Sequence, residues 1–266
     1  MPDAQTRRWV ENYARAGFVA KGIVYLMLGM LALQAALGSG GRITAPRGVV
    51  YELLDSRYGT TLVTILAFGL AGYALWRFIE AFGDANRKGK AATSVVVRSG
   101  YALSGFIYGM LAFDAARLVI GEPGGPERSH VARFILAGPL GPALVVLVAL
   151  GLLAYAIHQF LRALRGQVDD ELALGSAPYQ TGRWLAGITN FGTGARAVVF
   201  ALVAVLLIKM AATPAAAAAL DSADAMRFAR GLPEGKWWLA FVASGFAAYG
   251  VEQFVQAFYR RITAPA

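Results

Sequence analysis

One stretch of the chain occurs three times: residues 69–82 read GLAGYALWRFIEAF, residues 151–164 read GLLAYAIHQFLRAL, and residues 245–258 read GFAAYGVEQFVQAF. Four columns are identical in all copies, and most others differ only in apolar size. A repeat of this length indicates an architecture built from one repeated unit. Two of the identical columns are predicted to be structural residues that define the fold. They are Gly69, Gly151 and Gly245, and Tyr73, Tyr155 and Tyr249.

The composition predicts that the repeated unit lies in a membrane. Hydrophobic residues make up 57% of the chain and charged residues only 15%, with a mean hydropathy of +0.52, whereas about a quarter of a soluble domain is charged. A helix needs about 20 mainly apolar residues to cross the hydrocarbon core. Six stretches meet this requirement: 17–37, 60–82, 100–120, 142–164, 190–211 and 236–258.

Several classes of activity find no support in the residues. The chain has no cysteine, which excludes disulfides, thiol catalysis and cysteine-based metal sites. It has two histidines and no phosphate-binding loop, nucleophile elbow or His-Glu-x-x-His pattern, so we predict no enzyme, no metal site and no cofactor. The net charge of +9 reflects the bias of Lys and Arg toward cytoplasmic loops rather than nucleic-acid binding. The predicted partners are membrane lipids.

Each unit combines two spans with a short segment between them. The segments mix charged and apolar residues and begin at Gly48, Ser129 and Ser222. This composition fits a brief amphipathic helix in the membrane interface. A shared glycine precedes each second span, at Gly59, Gly141 and Gly235. We therefore predict one all-α integral membrane domain over residues 1–266, with repeats at 15–87, 98–166 and 188–261.

The distribution of basic residues predicts the orientation. With the N-terminus inside, 15 of the 25 Lys and Arg residues lie on the inner side, including Arg87, Lys88 and Lys90 beside a helix end. Basic residues favour the cytoplasmic side, so both termini should be cytoplasmic and the short segments should face outside. Two spans per unit give every unit the same orientation, which predicts parallel repeats around a pseudo-threefold axis.

The repeated order is a helix, an interfacial helix and a glycine-led second helix ending in Tyr-x-x-x-x-Phe-x-x-Ala. Over Arg15 to Arg261 this order resembles the bacterial membrane-protein family catalogued as domain of unknown function 1206. The resemblance implies a six-helix, three-repeat protein of the inner membrane and implies no activity. Mitochondrial carriers also have three two-helix repeats, but their proline-plus-acid signature is missing here, so that likeness is architectural only.

Polar residues inside the spans are the candidate functional groups, because a charge near the bilayer centre costs roughly 2.5 to 3.5 kcal/mol on insertion scales. They cluster at one depth: Trp76, Arg77, Glu80, His158, Arg162 and Glu252 on the second helices, and Lys21 and Arg196 on the first. They either line a polar cavity open to the cytoplasm or pair locally as structural clamps. The column Trp76, His158 and Glu252 breaks the repeat symmetry. This favours a functional role for His158 and Glu252, facing the interior of the bundle.

A second polar set marks the outer ends of the first helices. Asp114 and Arg117 stand about one turn apart and are predicted to pair with each other. An ion or ligand site that faces outward is the alternative.

The residues leave three functions open. A structural, binding or assembly protein, the expected class, should have an axis filled by apolar side chains. A small transporter or channel needs a hydrated polar pathway along the axis. A lipid- or quinone-binding protein should have an apolar crevice that opens sideways between repeats.

Overall fold

The computed structural model describes residues 4–82, 92–122, 141–166, 179–211 and 222–259, and the regular structure within these ranges is entirely α-helical. The helices are α1 (Ala4–Leu37), α2 (Pro46–Leu54), α3 (Gly59–Phe82), α4 (Ala92–Val119), α5 (Gly141–Leu164), α6 (Tyr179–Ala211), α7 (Ser222–Gly231) and α8 (Gly235–Tyr259). Repeat 1 contributes α1 to α3, repeat 2 contributes α4 and α5, and repeat 3 contributes α6 to α8.

Five helices, α1 and α3 to α6, are long and apolar enough to cross a membrane in the part of the chain that the structure describes. This is consistent with a multi-pass membrane protein. α8 is not among these five helices. It is long enough, with 25 residues, but Glu252, Gln253 and Gln256 make it less apolar. α1 and α6 begin well before their predicted spans, at Ala4 and Tyr179, because hydropathy marks only the apolar part of a helix.

α2 and α7 are the short helices predicted between the spans of repeats 1 and 3, whereas the third, from residue 129, lies outside the described residues. Both are followed by a glycine that starts the next long helix. A side chain at Gly59 would collide with the backbone of Leu54, and one at Gly235 would collide with the backbone of Arg230. The glycine column is therefore required by the tight turn between the short and the long helix.

The second long helix of each repeat packs on the first long helix of the next: α3 on α4, α5 on α6, and α8 on α1. Small residues allow this close approach. A Cβ atom on Gly105 of α4 would lie 3.2 Å from the carbonyl oxygen of Ala74 on α3. In the same columns, a Cβ atom on Gly22 of α1 would lie 3.0 Å from the carbonyl oxygen of Gly250 on α8. Two interfaces between repeats thus use the same contact.

Arg15 and Arg98 occupy one column, and each caps the helix of the preceding repeat. At the end of α3, Arg98 donates from Nε to the Ala81 carbonyl at 2.6 Å and from Nη2 to the Phe82 carbonyl at 3.1 Å. At the end of α8, Arg15 donates from Nη1 to the Phe258 carbonyl at 3.0 Å. The last carbonyls of a helix lack internal partners and carry partial negative charge, so this column stabilises the interfaces between repeats.

Asp114 pairs with the short helix of repeat 1 rather than with its own helix. Its Oδ2 lies 3.4 Å from Nε of Arg47, whereas Arg117 pairs with Glu122 at 2.8 Å. The prediction that Asp114 pairs with Arg117 is therefore wrong. The physical reason is that α2 packs against α4 and brings a guanidinium group to Asp114.

Candidate functional site

Four tyrosine rings surround the ammonium group of Lys21, which is only 3% exposed. Its Nζ lies 4.5 Å from the ring centroid of Tyr73, 4.9 Å from Tyr108, 5.1 Å from Tyr249 and 6.0 Å from Tyr25. These residues come from α1, α3, α4 and α8, and hence from all three repeats. The negative faces of aromatic rings stabilise a cation removed from water. We call Lys21 and these four tyrosines the tyrosine cluster.

Hydrogen bonds join the hydroxyl groups of the tyrosine cluster. The Tyr73 hydroxyl accepts from Lys21 Nζ at 2.8 Å and from Arg77 Nε at 2.7 Å. The Tyr108 hydroxyl donates to the Tyr25 hydroxyl at 2.9 Å. The rings of Tyr73 and Tyr108 also meet edge to face, with centroids 4.8 Å apart. These side chains pack against one another and fill the centre of the described helices.

Arg77 connects the tyrosine cluster to a buried carboxylate. Its Nη1 lies 2.7 Å from Oε2 of Glu80 on the same helix, and the Glu80 side chain has no exposed surface. The spacing of i,i+3 is the one expected for a local structural clamp. Because Arg77 also donates to Tyr73, the clamp and the cluster form one network.

Arg196 on α6 extends this network to α5, the second long helix of repeat 2. Its guanidinium carbon lies 4.2 Å from the ring centroid of Tyr249. Its Nη2 donates to the hydroxyl of Tyr155 on α5 at 3.3 Å. Arg196 shares a column with Lys21, and each of the two cations contacts the tyrosine on the second long helix of its own repeat, Tyr249 and Tyr73 respectively.

Glu252 on α8 supplies a second buried carboxylate and is 3% exposed. It accepts a hydrogen bond from Thr193 Oγ1 at 3.0 Å and another from Gln256 Nε2 at 2.7 Å. The charges of Arg196 and Lys21 also act on it. Hydrogen bonds and nearby positive charges of this kind are what a buried carboxylate requires.

The described network contains more positive than negative groups. Its cations are Lys21, Arg77 and Arg196, and its carboxylates are Glu80 and Glu252. An excess of donors and positive charge suits a group that accepts hydrogen bonds, such as a carbonyl or a phosphate.

In repeats 1 and 3 the two long helices also pack closely on each other, α1 on α3 and α6 on α8. Each pair places a glycine against the backbone of a tyrosine. A Cβ atom on Gly17 would lie 2.6 Å from Cα of Tyr73, and one on Gly192 would lie 2.7 Å from the backbone nitrogen of Tyr249. There is no room for a side chain at either glycine.

Repeat 2 differs, because α4 and α5 are not among the helix pairs that pack extensively in the described parts of the chain. Gly100 occupies the column of Gly17 and Gly192, yet it is exposed, and no described atom lies within 4 Å of its Cβ position. Gly151 on α5 is exposed and open in the same way. We call this gap between α4 and α5, marked by Gly100 and Gly151, the open flank.

One neighbouring column accounts for the difference. In repeat 1 a Cβ atom on Gly69 would lie 2.5 Å from Cβ of Ala20, and in repeat 3 a Cβ atom on Gly245 would collide with Cβ of Ala195. Repeat 2 has Leu103 in this column, and that side chain is 61% exposed. A contact between glycine and alanine has no space for extra carbon atoms, so Leu103 prevents the same close approach.

The open flank lies beside the tyrosine cluster. Extensive packing runs in the order α4, α3, α1, α8, α6, α5, so α4 and α5 are the two ends of the series. Each end reaches the centre, α4 through Tyr108 and α5 through Tyr155, which accepts a hydrogen bond from Arg196. Tyr155 is 45% exposed, whereas Tyr73 and Tyr249 are buried.

The structure brings together most of the residues that the sequence singles out. Those in the described network are Lys21, Arg77, Glu80, Arg196 and Glu252. Trp76 is buried on α3, and its indole nitrogen has no hydrogen-bond partner among the described atoms.

Two further predicted residues lie on α5. His158 is exposed on α5, and Arg162 is half-buried on the same helix. The expectation that His158 faces the interior of the bundle is wrong, since it is exposed. α5 packs extensively only on α6 among the described helices, so the column that is buried on α3 and α8 is exposed on α5.

Sequence reasoning missed the enclosure of Lys21 and the role of Leu103. Two signals pointed toward them. Tyr25 follows Lys21 by four residues, which places both on one face of α1. Leu103 stands where Ala20 and Ala195 stand in the other repeats, directly before the Lys21 and Arg196 column.

Comparison with known proteins agrees with the resemblance drawn from the sequence. The family described as Domain of Unknown Function (DUF1206) matches three segments of the chain, residues 16–84, 99–166 and 191–260. A relative from Bacillus subtilis (strain 168), described as "Uncharacterized protein YxxB", is 29% identical over 262 residues, which cover 97% of this chain and 94% of the relative. No solved structure matches the chain. The resemblance is thus confirmed, and neither description names an activity.

Proposed function

Because this chain belongs to the family described as Domain of Unknown Function (DUF1206), whose description names no activity, we propose a function from its own residues. It is a non-enzymatic, multi-pass membrane protein that binds an amphiphilic membrane molecule, a lipid or a quinone, in the open flank. One observation carries the proposal: the glycine columns that are tightly packed in repeats 1 and 3 are not covered by any described atom in repeat 2, at Gly100 and Gly151.

The proposed topology has six spans, with α8 as the sixth. Its 25 residues give about 37 Å of helix. Its polar Glu252 and Gln253 are buried in protein, which is where polar groups of a membrane helix belong. The Lys and Arg count favours cytoplasmic termini in a bacterial inner membrane. The matching contacts of Gly22 and Gly105 favour repeats arranged about a pseudo-threefold axis.

The open flank suits an elongated apolar molecule with a polar end. Leu103 offers apolar surface on α4, and the exposed glycines let a chain approach the helix backbone. Tyr155 and Arg196 supply donors for a carbonyl or phosphate oxygen at one end. A site of this kind, mostly apolar with a few placed polar groups, is typical for small ligands.

Binding from the side is favoured over transport along the axis. Lys21 and the four rings around it occupy the centre of the described helices. A ligand reaches the flank from the bilayer, where both lipids and quinones reside. Of the three functions that the sequence leaves open, lipid or quinone binding in a crevice that opens sideways is therefore favoured.

Photolabelling tests the proposal. The full chain in lipid nanodiscs is exposed to two neutral diazirine probes, a phosphatidylethanolamine and an isoprenoid quinone, and the labelled peptides are mapped by mass spectrometry. At least one probe should label α4 and α5 around Leu103 and Gly151. Gly151→Leu should strongly reduce this labelling because the new side chain fills the flank. Gly187→Leu is the matched control, since Gly187 on α6 is also exposed with no described atom near its Cβ position.

Two outcomes would contradict the proposal. One is uniform labelling of all membrane helices that Gly151→Leu does not change. The other is an equal loss of labelling in Gly151→Leu and Gly187→Leu, which would mean that any added side chain disturbs the probe.

Single cysteines test the proposed orientation, because the native chain has none. A cysteine at Lys88 should react with an impermeant maleimide only after cells are opened. A cysteine at Gly40, in the loop after α1, should react in intact cells. The reverse pattern would place the termini outside.

A further inference from the structure

A cavity of about 410 Å³ lies at the C-terminal end of α1, apart from the tyrosine cluster. It is lined by Ala35, Gly41, Arg42, Ile43, Arg227 and Arg230. The first four belong to repeat 1 and the two others to α7 of repeat 3. The cavity is therefore built where the two repeats meet, and three of its six lining residues are arginines.

The local structure explains why the arginines converge. On α7, Ala223 and Met226 are buried, whereas Arg227 and Arg230, which project from the same half of this short helix, are exposed. On the other wall, Gly41 has a positive φ of 74°, which folds the loop back against α1 and carries Arg42 with it. The backbone of both walls therefore brings exposed arginines to the cavity.

The matching interface between repeats 1 and 2 contains an ion pair in place of an arginine-lined cavity. There Arg47 of α2 pairs with Asp114 of α4 at 3.4 Å. The corresponding columns between repeats 3 and 1 hold Ala223 and Leu31, so neither the base nor the acid of that pair is present there. Arg42 pairs with Glu52, but no carboxylate is among the described residues that line the cavity.

The two α7 arginines are also additions to the repeat pattern. Arg227 and Arg230 stand in the columns of Tyr51 and Leu54 of α2. Since α2 forms its helix without a basic residue in these columns, the fold of the short helix does not require them. A role in binding accounts for two basic residues on one exposed face.

We propose that this cavity binds the phosphate group of an anionic phospholipid. A guanidinium group matches the oxygen geometry of phosphate and stays charged. The cavity volume lies in the range typical of small-ligand sites. A short amphipathic helix at the end of a long apolar one is expected at the level of lipid headgroups, and Ala35 and Ile43 offer apolar contact to the start of the acyl chains.

Native mass spectrometry of the full chain in detergent tests the site. The protein is titrated with phosphatidylglycerol, with zwitterionic phosphatidylcholine as the comparison lipid and soluble glycerol phosphate as a competitor. Phosphatidylglycerol should bind more tightly than phosphatidylcholine. Removing each arginine should weaken it roughly fivefold, so that Arg227→Gln with Arg230→Gln gives the larger loss. Arg57→Gln, at an exposed arginine outside the cavity, should leave the affinity unchanged.

Three results would overturn the proposal. The first is that the double variant retains the affinity of the native chain. The second is that Arg57→Gln weakens binding as much as the double variant does, and the third concerns the soluble competitor. Displacement of phosphatidylglycerol by equimolar glycerol phosphate would assign the cavity to a soluble phosphate compound. If the double variant does not give a monodisperse protein, Arg230→Gln alone decides the matter, because Arg230 is exposed at the end of α7.

Discussion

Among the residues that the structure describes, repeats 1 and 3 close a flank that repeat 2 leaves open, although all three carry glycines in the columns of Gly17 and Gly69 and tyrosine in that of Tyr73. Gly17 and Gly192 are covered by the backbone of a tyrosine, whereas Gly100 is exposed. Leu103 stands in a contact column that holds alanine in the other repeats. A repeated motif thus makes close packing possible, and a large residue such as Leu103 in a contact column opposes it.

The largest expected effect on stability concerns the column of Trp76, His158 and Glu252, which is buried on α8 and exposed on α5. Glu252→Ala should lower the free energy of unfolding by about 3 to 5 kcal/mol, because it removes the carboxylate beside buried cations. His158→Ala should change it by less than about 0.5 kcal/mol, since His158 is exposed. Titration with sodium dodecyl sulfate in detergent micelles measures both. Equal losses would mean that α5 is as buried as α8.

A glycine pair tests the flank itself. Gly17→Ala should cost about 3 kcal/mol, because its methyl group would meet the backbone of Tyr73 at 2.6 Å. Gly100→Ala should cost nothing and can gain up to about 1 kcal/mol from helix propensity. The same detergent titration compares them. A comparable loss at Gly100 would show that α4 and α5 pack as closely as α1 and α3.

Tyrosine hydroxyls provide a smaller test. Tyr73→Phe should cost about 2 kcal/mol, because Lys21 and Arg77 lose a buried acceptor. Tyr155→Phe should cost less than about 1 kcal/mol, since its one described bond, to Arg196, is long and solvent-accessible. Thermal unfolding in detergent ranks the two variants. A greater loss for Tyr155→Phe would contradict the open flank.

The smallest stability effect is expected for Leu103→Ala, which restores the alanine of the other repeats. The free energy of unfolding should change by less than about 0.5 kcal/mol, because the side chain is exposed. Photolabelling of α5 should nevertheless fall, since α4 and α5 can then approach. Undiminished labelling would show that Leu103 does not hold the flank open.

Part of the fold and of the site could be predicted because it depends on local residues. The apolar stretches anticipate α1 and α3 to α6, and the glycines at Gly59 and Gly235 mark where long helices begin. The polar columns point to Lys21 and Glu252 because charges are costly inside a membrane. The position of His158 could not be predicted in this way, since its burial depends on how α5 packs.

The sequence by itself determined the all-helical class, the threefold repetition and the short helices α2 and α7, since these follow from composition and from spacing along one chain. Only the tertiary structure decided which helices meet. The caps made by Arg15 and Arg98 join one repeat to another, and the enclosure of Lys21 needs side chains from all three. The open flank is likewise a property of packing. The same glycine columns are buried in repeats 1 and 3, where Ala20 and Ala195 permit close contact, and exposed in repeat 2, where Leu103 takes the place of alanine.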